Sequence, residues 1–235
     1  MEQWLRDELA KEMGYTICPL TTETYTICDN NCEKCEIYKE FVDSLKEEKM
    51  KVELKDIKGT WTDVVNRART TVGKEELGKE PSDNFKEKIL LAEHSPIRSL
   101  TYCFKITGVK SWVATHLVRH HVGVEKWVRT QRTDRTGTNR DELPQGALVD
   151  MELEANAQAL INMSRKRLCA QASSETRAVM QDMKKEVQEK DEHMAKVMVK
   201  ECIYRGFCPE MQGCGYDKTE KFQKELQEYR GKKEE

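Results

Sequence analysis

The sequence predicts a chain in which helices and strands are mixed, and two patterns lead to this prediction. From Leu100 to Thr107, LTYCFKIT alternates polar and apolar side chains, which is the period of a half-buried strand. From Leu148 to Cys169, apolar side chains recur at helical spacing and predict one helix with a buried stripe. A length of 235 residues suits one main domain with a sizeable core.

Composition limits the class of protein. The formal net charge is only −2, so a general coat for nucleic acid is not expected and nucleic acid is an unlikely partner. Charged residues make up 35% of the chain, which predicts that it buries further surface by oligomerising. No apolar run is long enough to cross a membrane, and the first residues are amphipathic and unlike a signal peptide. We therefore expect a cytoplasmic protein with no membrane partner.

The first element is a predicted helix from Glu2 to Met13, followed by four closely spaced cysteines, Cys18, Cys28, Cys32 and Cys35. The last three have the spacing CxxxCxxC, which is typical of loops that hold zinc or an iron-sulfur cluster. Nine cysteines in a reducing compartment argue against a disulfide framework. A metal site, with zinc as the first choice, and ordinary reduced thiols both stay open.

The next elements follow from periodicity and capping signals. A charged helix is predicted from Lys39 to Asp56, although Val52 and Leu54 have the pattern of a short strand. Helices are also predicted from Thr60 to Val72 and from Phe85 to Glu93. After the strand at 100–107, another helix begins beyond Gly108 and places His116, Arg119 and His120 on one face.

The stretch from His116 to Arg140 concentrates positive charge and ring nitrogens, and it has the composition of an anion site. Its members are His116, Arg119, His120, His121, Lys126, Arg129, Thr130, Gln131, Arg132, Arg135 and Arg140. Guanidinium groups bind phosphate through paired charge-assisted hydrogen bonds, so several phosphates could be held together. The alternative is a solvated basic loop after a capped helix end.

The predicted helix at 148–169 has two polar borders beside its apolar stripe. Gln158 and Asn162 follow one flank, while Asn156 and Arg167 border the other, as expected of a helix at the rim of a pocket. Helical periodicity continues from Ser174 to Cys202 with a methionine stripe, which indicates core or a subunit contact. The remaining segment contains a second group of thiols, Cys202, Cys208 and Cys214, and ends in a predicted solvated helix.

The order of these residues resembles the flavin-dependent thymidylate synthases. Arg119, His120 and His121, followed by Thr130, Gln131 and Arg132, resemble the family signature, in which Arg-His-Arg precedes a Ser, a variable residue and Arg. Later positions also match the family in order: Arg140, Pro144, Asn156, Asn162, Arg167, Glu175 and Arg177. The resemblance covers about Thr60 to Val187. Some family residues are replaced, by Arg98, His116, His121 and Gln158, and Arg129 falls at the signature serine unless one residue is inserted.

The resemblance implies an α+β fold, an antiparallel sheet flanked by helices, with cysteine-containing additions at both ends. The implied organisation is an N-terminal extension at 1–58, a flavin- and nucleotide-binding core at 59–200 and a C-terminal tail at 201–235. It also implies a homotetramer with FAD bound where subunits meet. The reaction would convert dUMP to dTMP, with NADPH as reductant and methylenetetrahydrofolate as carbon donor.

The roles of individual residues follow from the same resemblance. Arg167 is the expected catalytic residue, since it would stabilise negative charge on the pyrimidine. The flavin would be held by Thr71, Ser95, Arg119, His120, His121, Asn156, Gln158 and Asn162. The nucleotide would be held by His116, Arg119, Thr130, Gln131, Arg132, Arg140 and Arg167.

Two alternatives remain at this stage. The replaced motif residues favour a related pyrimidine nucleotide hydroxymethylase or another enzyme that modifies C5 of the ring. The second alternative is a metal-containing nucleic-acid-binding protein that uses the basic stretch as its contact surface; its affinity should fall steeply with salt.

Overall fold

The computed structural model describes residues 50–231 and, ahead of them, two short strands, β1 (Thr16–Ile17) and β2 (Ile27–Cys28). The two strands pair in the antiparallel direction, with Thr16 opposite Cys28. The chain divides into two compact units, Met1–Lys49 and Met50–Glu235. The helix predicted at 2–13 and most of the one predicted at 39–56 lie outside the described residues.

An antiparallel sheet of four strands organises the second unit. The strands are β3 (Lys51–Lys58), β4 (Thr101–Lys110), β5 (Val124–Val128) and β6 (Leu148–Asn156), in the order β3-β4-β6-β5. The predicted α+β fold is therefore confirmed. The predicted strand at 100–107 forms most of β4, and its inward residues Tyr102, Phe104 and Ile106 are buried.

Nine helices are present among the described residues. They are α1 (Trp61–Thr70), α2 (Asp83–Leu91), α3 (Ser111–Val118), α4 (Thr133–Thr136), α5 (Ala157–Arg167), α6 (Ser174–Lys190), α7 (Glu192–Val197), α8 (Glu201–Arg205) and α9 (Glu220–Arg230). Three 3₁₀ turns lie at Ser95–Ser99, Arg140–Glu142 and Tyr216–Lys218. Within this part of the chain, none of the helices has the length and apolar character needed to cross a membrane.

Local capping explains where several helices begin. Thr60 accepts a hydrogen bond from the N–H of Asp63, and Asp63 bonds back to the N–H of Thr60, which is a capping box at the start of α1. Ser82 accepts from the N–H of Phe85 at the start of α2. Both helices begin within a few residues of the positions that their sequence predicts.

The prediction of a single helix from Leu148 to Cys169 is wrong in its first part. Residues 148–156 form β6, in which Val149, Met151, Leu153 and Ala155 are buried at alternate positions. This strand lies between β4 and β5 and is hydrogen-bonded to both. Its buried residues alternate with Asp150, Glu152 and Glu154, which is the period of a half-buried strand and not of a helix. The helix begins only at Ala157, where the predicted buried stripe continues.

The main core lies between one face of the sheet and the helices that cover it. The methionine stripe predicted from the sequence is part of this core, since Met180, Met183, Met194 and Met198 are all fully buried. On β4, the hydroxyl of Tyr102 donates to Asp191 at 2.8 Å, a buried hydrogen bond that ties the sheet to the start of α7.

The division predicted at 58 and at 200 stays a prediction, but two observations bear on the terminal segments. Strand β3, within the predicted extension 1–58, pairs with β4 along its length and so belongs to the main sheet. The last helix, α9, is not simply solvated as predicted, because Phe222 and Leu226 are buried in a small second core with Val199, Cys202 and Ile203.

Candidate functional site

The C-terminal end of α3 places His116 at the centre of the candidate site. Its imidazole Nδ1 lies 3.0 Å from the hydroxyl of Thr176, and its ring meets the edge of Trp112 with centroids 5.5 Å apart. The helix ends at Val118, so Arg119 is the cap and His120 lies beyond it. The three residues predicted on one helical face are therefore close together, although only His116 is within the helix.

A direct contact joins this loop to the end of α5. Arg167 Nε donates to His120 Nε2 at 2.9 Å, and Arg167 Nη2 donates to the carbonyl oxygen of His116 at 2.8 Å. Because arginine is only a donor, His120 must accept at Nε2 and carry its proton on Nδ1. Two residues 47 positions apart in sequence thus form one unit.

The electrostatics of this unit favour a neutral His120. Burial, followed by the charges of Arg167, Lys126 and His121, lowers the pKa of His120 from 6.5 to about 4. Burial also lowers the pKa of the Arg167 guanidinium, and the charge of nearby Arg119 adds to this effect. Among the described residues, Arg167 has no carboxylate partner, so the His120–Arg167 group carries a net positive charge. A bound anion would stabilise this charge.

Ser173 and Thr176 support His116 from α6, and sequence reasoning did not identify them. Thr176 is fully buried, and the hydroxyl of Ser173 donates to its hydroxyl at 2.8 Å. Ser173 also caps α6 by accepting from the N–H of Thr176. The Ser-x-x-Thr cap at a helix start was a readable signal, but only the tertiary structure shows that it orients a histidine.

The other end of the same loop is fixed by Asn156. This residue caps α5 by accepting from the N–H of Ala159, and its own N–H donates to the carbonyl of Gly123 at 3.0 Å. Gly123 has φ +71, and a Cβ there would come within 2.3 Å of the Asn156 amide. Only glycine fits this close approach, so Asn156 and Arg167 together hold the loop at 119–123 against the two ends of α5.

Gln158 and Asn162 lie on the opposite flank of α5, as the helical wheel predicts. The amide of Gln158 donates to Glu93, whose carboxylate also pairs with Arg165. Arg165 in turn donates to the Asn162 side-chain oxygen at 3.3 Å. This group shares no hydrogen bond with the His120–Arg167 group within the described chain.

The predicted flavin residues Thr71 and Ser95 are both exposed. Thr71 caps the end of α1 and donates to the carbonyl of Ala68, while Ser95 lies two residues after Glu93. Neither is hydrogen-bonded to the His120–Arg167 group in a single chain.

A polar cavity of about 440 Å³ lies beside the segment that follows β5. Its walls include Arg129, Thr130, Gln131, Arg135, Thr136 and Thr138. This is the part of the predicted anion stretch with the most hydroxyl groups, and two guanidinium groups line it. The structure therefore brings Thr130 and Gln131 together in one concave surface.

Two arginines predicted to hold the nucleotide lie beside this cavity. Arg132 makes two hydrogen bonds to Asp134, from Nε at 3.0 Å and from Nη2 at 2.9 Å. The N–H of Arg140 donates to Thr133, which fixes the 3₁₀ turn at 140–142 next to α4. The guanidinium groups on the cavity wall are instead those of Arg129 and Arg135.

Of the four cysteines predicted to bind a metal, one lies in a described strand. Cys18, Cys32 and Cys35 lie outside the described residues, and Cys28 is in β2. In the portion of the chain that the structure does describe, no group of three or more His, Cys, Asp or Glu side chains is arranged to hold a metal ion.

Comparison with protein families finds one match. Residues 138–191 match the family model described as thymidylate synthase complementing protein. This segment contains Arg140, Asn156, Asn162 and Arg167. A comparison with curated protein sequences finds no match.

Solved structures share the fold. The UMP/dUMP methylase PolB from Streptomyces cacaoi, bound with 5-Br dUMP, aligns with a TM-score of 0.53 and 15% identity, over 64% of this chain and 97% of that one. Thymidylate Synthase X from Helicobacter pylori, with FAD and dUMP, gives 0.54 and 14%, over 64% and 99%. A second structure of the Helicobacter pylori enzyme with the same two ligands gives 0.52 and 15%, over 64% and 100%.

The chain has the fold of these thymidylate synthases and of the UMP/dUMP methylase. The resemblance predicted from the sequence is confirmed by the two findings together. Residues 138–191 are similar to the thymidylate synthase complementing protein family, and the chain shares the fold of its solved structures.

Proposed function

We propose that the chain is an FAD-dependent enzyme that methylates C5 of dUMP to give dTMP. The observation that carries the proposal is the contact between Arg167 and a neutral His120, next to a loop that presents Arg119 and His121. Similar folds bind FAD and dUMP in the Helicobacter pylori enzyme. Bound FAD would supply the redox chemistry, with NADPH as reductant and methylenetetrahydrofolate as carbon donor.

The residues around the loop suit a flavin nucleotide. Arg119 and His121 are exposed, whereas His120 is half-buried and held by Arg167. Guanidinium and imidazole donors are suitable partners for a diphosphate. The close packing of Gly123 on Asn156 fixes the backbone of this loop, so its donors would be held in place before the cofactor binds.

Arg167 would act on the nucleotide through charge. Its guanidinium is partly desolvated and has a lowered pKa, so it gains more from an anionic partner than an exposed arginine does. Negative charge that develops on the pyrimidine ring during the reaction would provide such a partner. His120 and the carbonyl of His116 orient the guanidinium, and Thr176 holds His116 from behind.

The nucleotide phosphate would lie near the polar cavity after β5. Thr130 and Gln131 line this cavity, and Arg129 and Arg135 are also on its wall. To bind the phosphate, Arg132 would have to give up its two hydrogen bonds to Asp134 and donate to the phosphate oxygens instead. Arg140 would reach the same ligand from the neighbouring 3₁₀ turn.

A homotetramer would explain why the flavin residues form separate groups. The loop at 119–123 is hydrogen-bonded to Arg167, while Gln158 is hydrogen-bonded to Glu93. Within the described part of one chain the two groups share no hydrogen bond. We propose that the groups of different chains meet where subunits pack, with Thr71 and Ser95 on the same side as Gln158.

A related C5-modifying activity is the second candidate. The fold is also shared by a UMP/dUMP methylase, and His121 and Gln158 replace arginines of the family signature. Gln158 is engaged with Glu93, so this flank has one positive charge fewer for the cofactor. A different pyrimidine nucleotide or one-carbon product, such as a hydroxymethyl group, would follow from such changes. The N-terminal zinc site and the cytoplasmic location also stay as proposals.

The test begins with the absorbance spectrum of the purified full chain, which should show bound flavin. Products are then identified by mass spectrometry after incubation with dUMP or UMP, methylenetetrahydrofolate and NADPH. We expect dTMP from dUMP. A hydroxymethylated product, or a product from UMP alone, would replace the first candidate by the second. Colourless protein that binds nucleic acid with a steep salt dependence would overturn both.

A matched pair of variants tests the role of Arg167. Arg167→Gln should lower kcat by about 10²–10³, because one preorganised charge at the developing anion is lost. Lys166→Gln removes an exposed charge from the adjacent position and should leave kcat unchanged. Flavin content is measured in both variants. Wild-type turnover by Arg167→Gln would refute the catalytic assignment.

A further inference from the structure

Four cysteines from three parts of the chain line one cavity near the C-terminal end. Cys169 follows α5, Cys202 lies in α8, and Cys208 and Cys214 lie in the loop between α8 and the last 3₁₀ turn. The cavity has a volume of about 210 Å³. All four thiols are free. None of them belongs to the residues proposed to bind flavin or nucleotide.

The segment that carries three of these cysteines has little core of its own. Its buried cluster consists of Val199, Cys202, Ile203, Phe222 and Leu226. The loop from 206 to 215 has no helix or strand, and it exposes large apolar side chains. A short segment of this kind has too little buried apolar surface to be well stabilised by packing, and proteins commonly add a metal or a disulfide to such segments.

The loop folds so that the sulfur of Cys208 lies beside the backbone that leads into Cys214. The sulfur of Cys208 lies close to Gly213, where an added Cβ would meet it at 3.3 Å, and Gly213 precedes Cys214 directly. The backbone N–H of Cys208 also points to the carboxylate of Asp217 at 3.4 Å, which folds the loop back on the 3₁₀ turn.

The wall of the cavity carries charged side chains of both signs. Lys200 and Arg177 lie on it together with Glu201, Glu210 and Asp217, and Lys200 is paired with Glu225. The lining therefore holds more acidic than basic side chains, which favours a cation as ligand.

We propose that Cys169, Cys202, Cys208 and Cys214 form a binding site for a thiophilic divalent cation such as Zn²⁺. Binding replaces four S–H bonds by four metal–sulfur bonds and releases four protons to solvent, without any change of oxidation state. Among residues 50–231 no three ligands are preassembled, so the loop with Cys208 and Cys214 must close toward Cys169 and Cys202 as the ion binds. The ion would then stabilise the small second core.

The experiment uses the full chain with Cys18, Cys28, Cys32 and Cys35 replaced by serine, so that the predicted N-terminal ligands do not contribute. This protein is loaded with Zn²⁺, desalted and measured for metal content. We expect about one zinc per chain. Titration with Co²⁺ should give the intense visible absorption of a tetrahedral thiolate site.

Removing ligands from this background separates the proposal from its rivals. Cys208→Ser with Cys214→Ser, both in the loop, should reduce zinc below about one tenth per chain. Cys103→Ser, which removes a buried thiol of β4 outside the cavity, should retain the metal, and circular dichroism checks that each variant is folded. Unchanged zinc content in the loop variant would overturn the proposal. So would a metal-free protein whose non-reducing peptide map shows a disulfide between Cys208 and Cys214.

Discussion

The protonation of His120 gives a sharp prediction for the pH dependence of stability. In the folded chain the pKa of this imidazole is lowered from 6.5 to about 4, chiefly by burial and next by the charge of Arg167. Between pH 6.5 and about pH 4, the imidazole of His120 is protonated more often in the unfolded chain than in the folded chain. The free energy of unfolding therefore falls as pH decreases from about 6.5 toward 4, and above this window His120 adds no pH dependence.

The size of the effect follows from the shift. Complete burial would make this pKa change equivalent to about 3 kcal/mol, but His120 is only half-buried and solvent screens the charge. We expect a loss of about 1–2 kcal/mol between about pH 7 and about pH 5 from this residue. Replacing it with glutamine, which keeps an acceptor for Arg167 but does not titrate, should remove this part of the pH dependence.

The assay is urea unfolding of the wild type and of His120→Gln at both pH values. Other histidines titrate in both proteins, so the difference between the two pH dependences isolates His120. His121→Gln is the matched control, because it removes an exposed neighbouring ring that does not contact Arg167 through a hydrogen bond. Equal pH dependence in the wild type and His120→Gln would refute the idea of a neutral, desolvated imidazole.

Three further predictions concern stability. Tyr102→Phe should lower the free energy of unfolding by about 1–3 kcal/mol in urea titrations at neutral pH, because Asp191 loses a buried donor; an unchanged midpoint would contradict this. Gly123→Ala should cost at least about 1 kcal/mol, since it strains φ and collides with Asn156, and the same titrations would detect it. Phe222→Ala should cost about 3 kcal/mol in the second core, measured as faster proteolysis of α9; wild-type resistance would show that this helix is merely solvated.

Much of the fold could be predicted because periodicity reports burial directly. The alternation of Tyr102, Phe104 and Ile106 predicts strand β4, and the methionines of α6 and α7 predict a buried stripe. Capping residues such as Thr60 predict where a helix begins. These signals are local, since they depend on residues within a few positions of each other.

The prediction failed at two strands, for different reasons. Residues 148–156 contain helix-forming Leu, Met and Glu, but their apolar side chains alternate with acidic ones, which is the period of the strand that they form between β4 and β5. In strand β5 only Val124 is buried, so its sequence carries no such alternation and its pairing with β6 decides the structure. A segment cannot show from its own sequence which partners will satisfy its backbone.

The sequence by itself determined which chemical groups are available to a site: the arginines, histidines and amides from Arg119 to Arg167, in the family's order, and the two groups of cysteines. Only the tertiary structure decided that His120 is a neutral acceptor for Arg167, that Gln158 donates to Glu93, and that four cysteines share one cavity. The physical reason is that pKa values, hydrogen-bond partners and cavities depend on distances between residues far apart in the chain. Composition and spacing do not contain those distances.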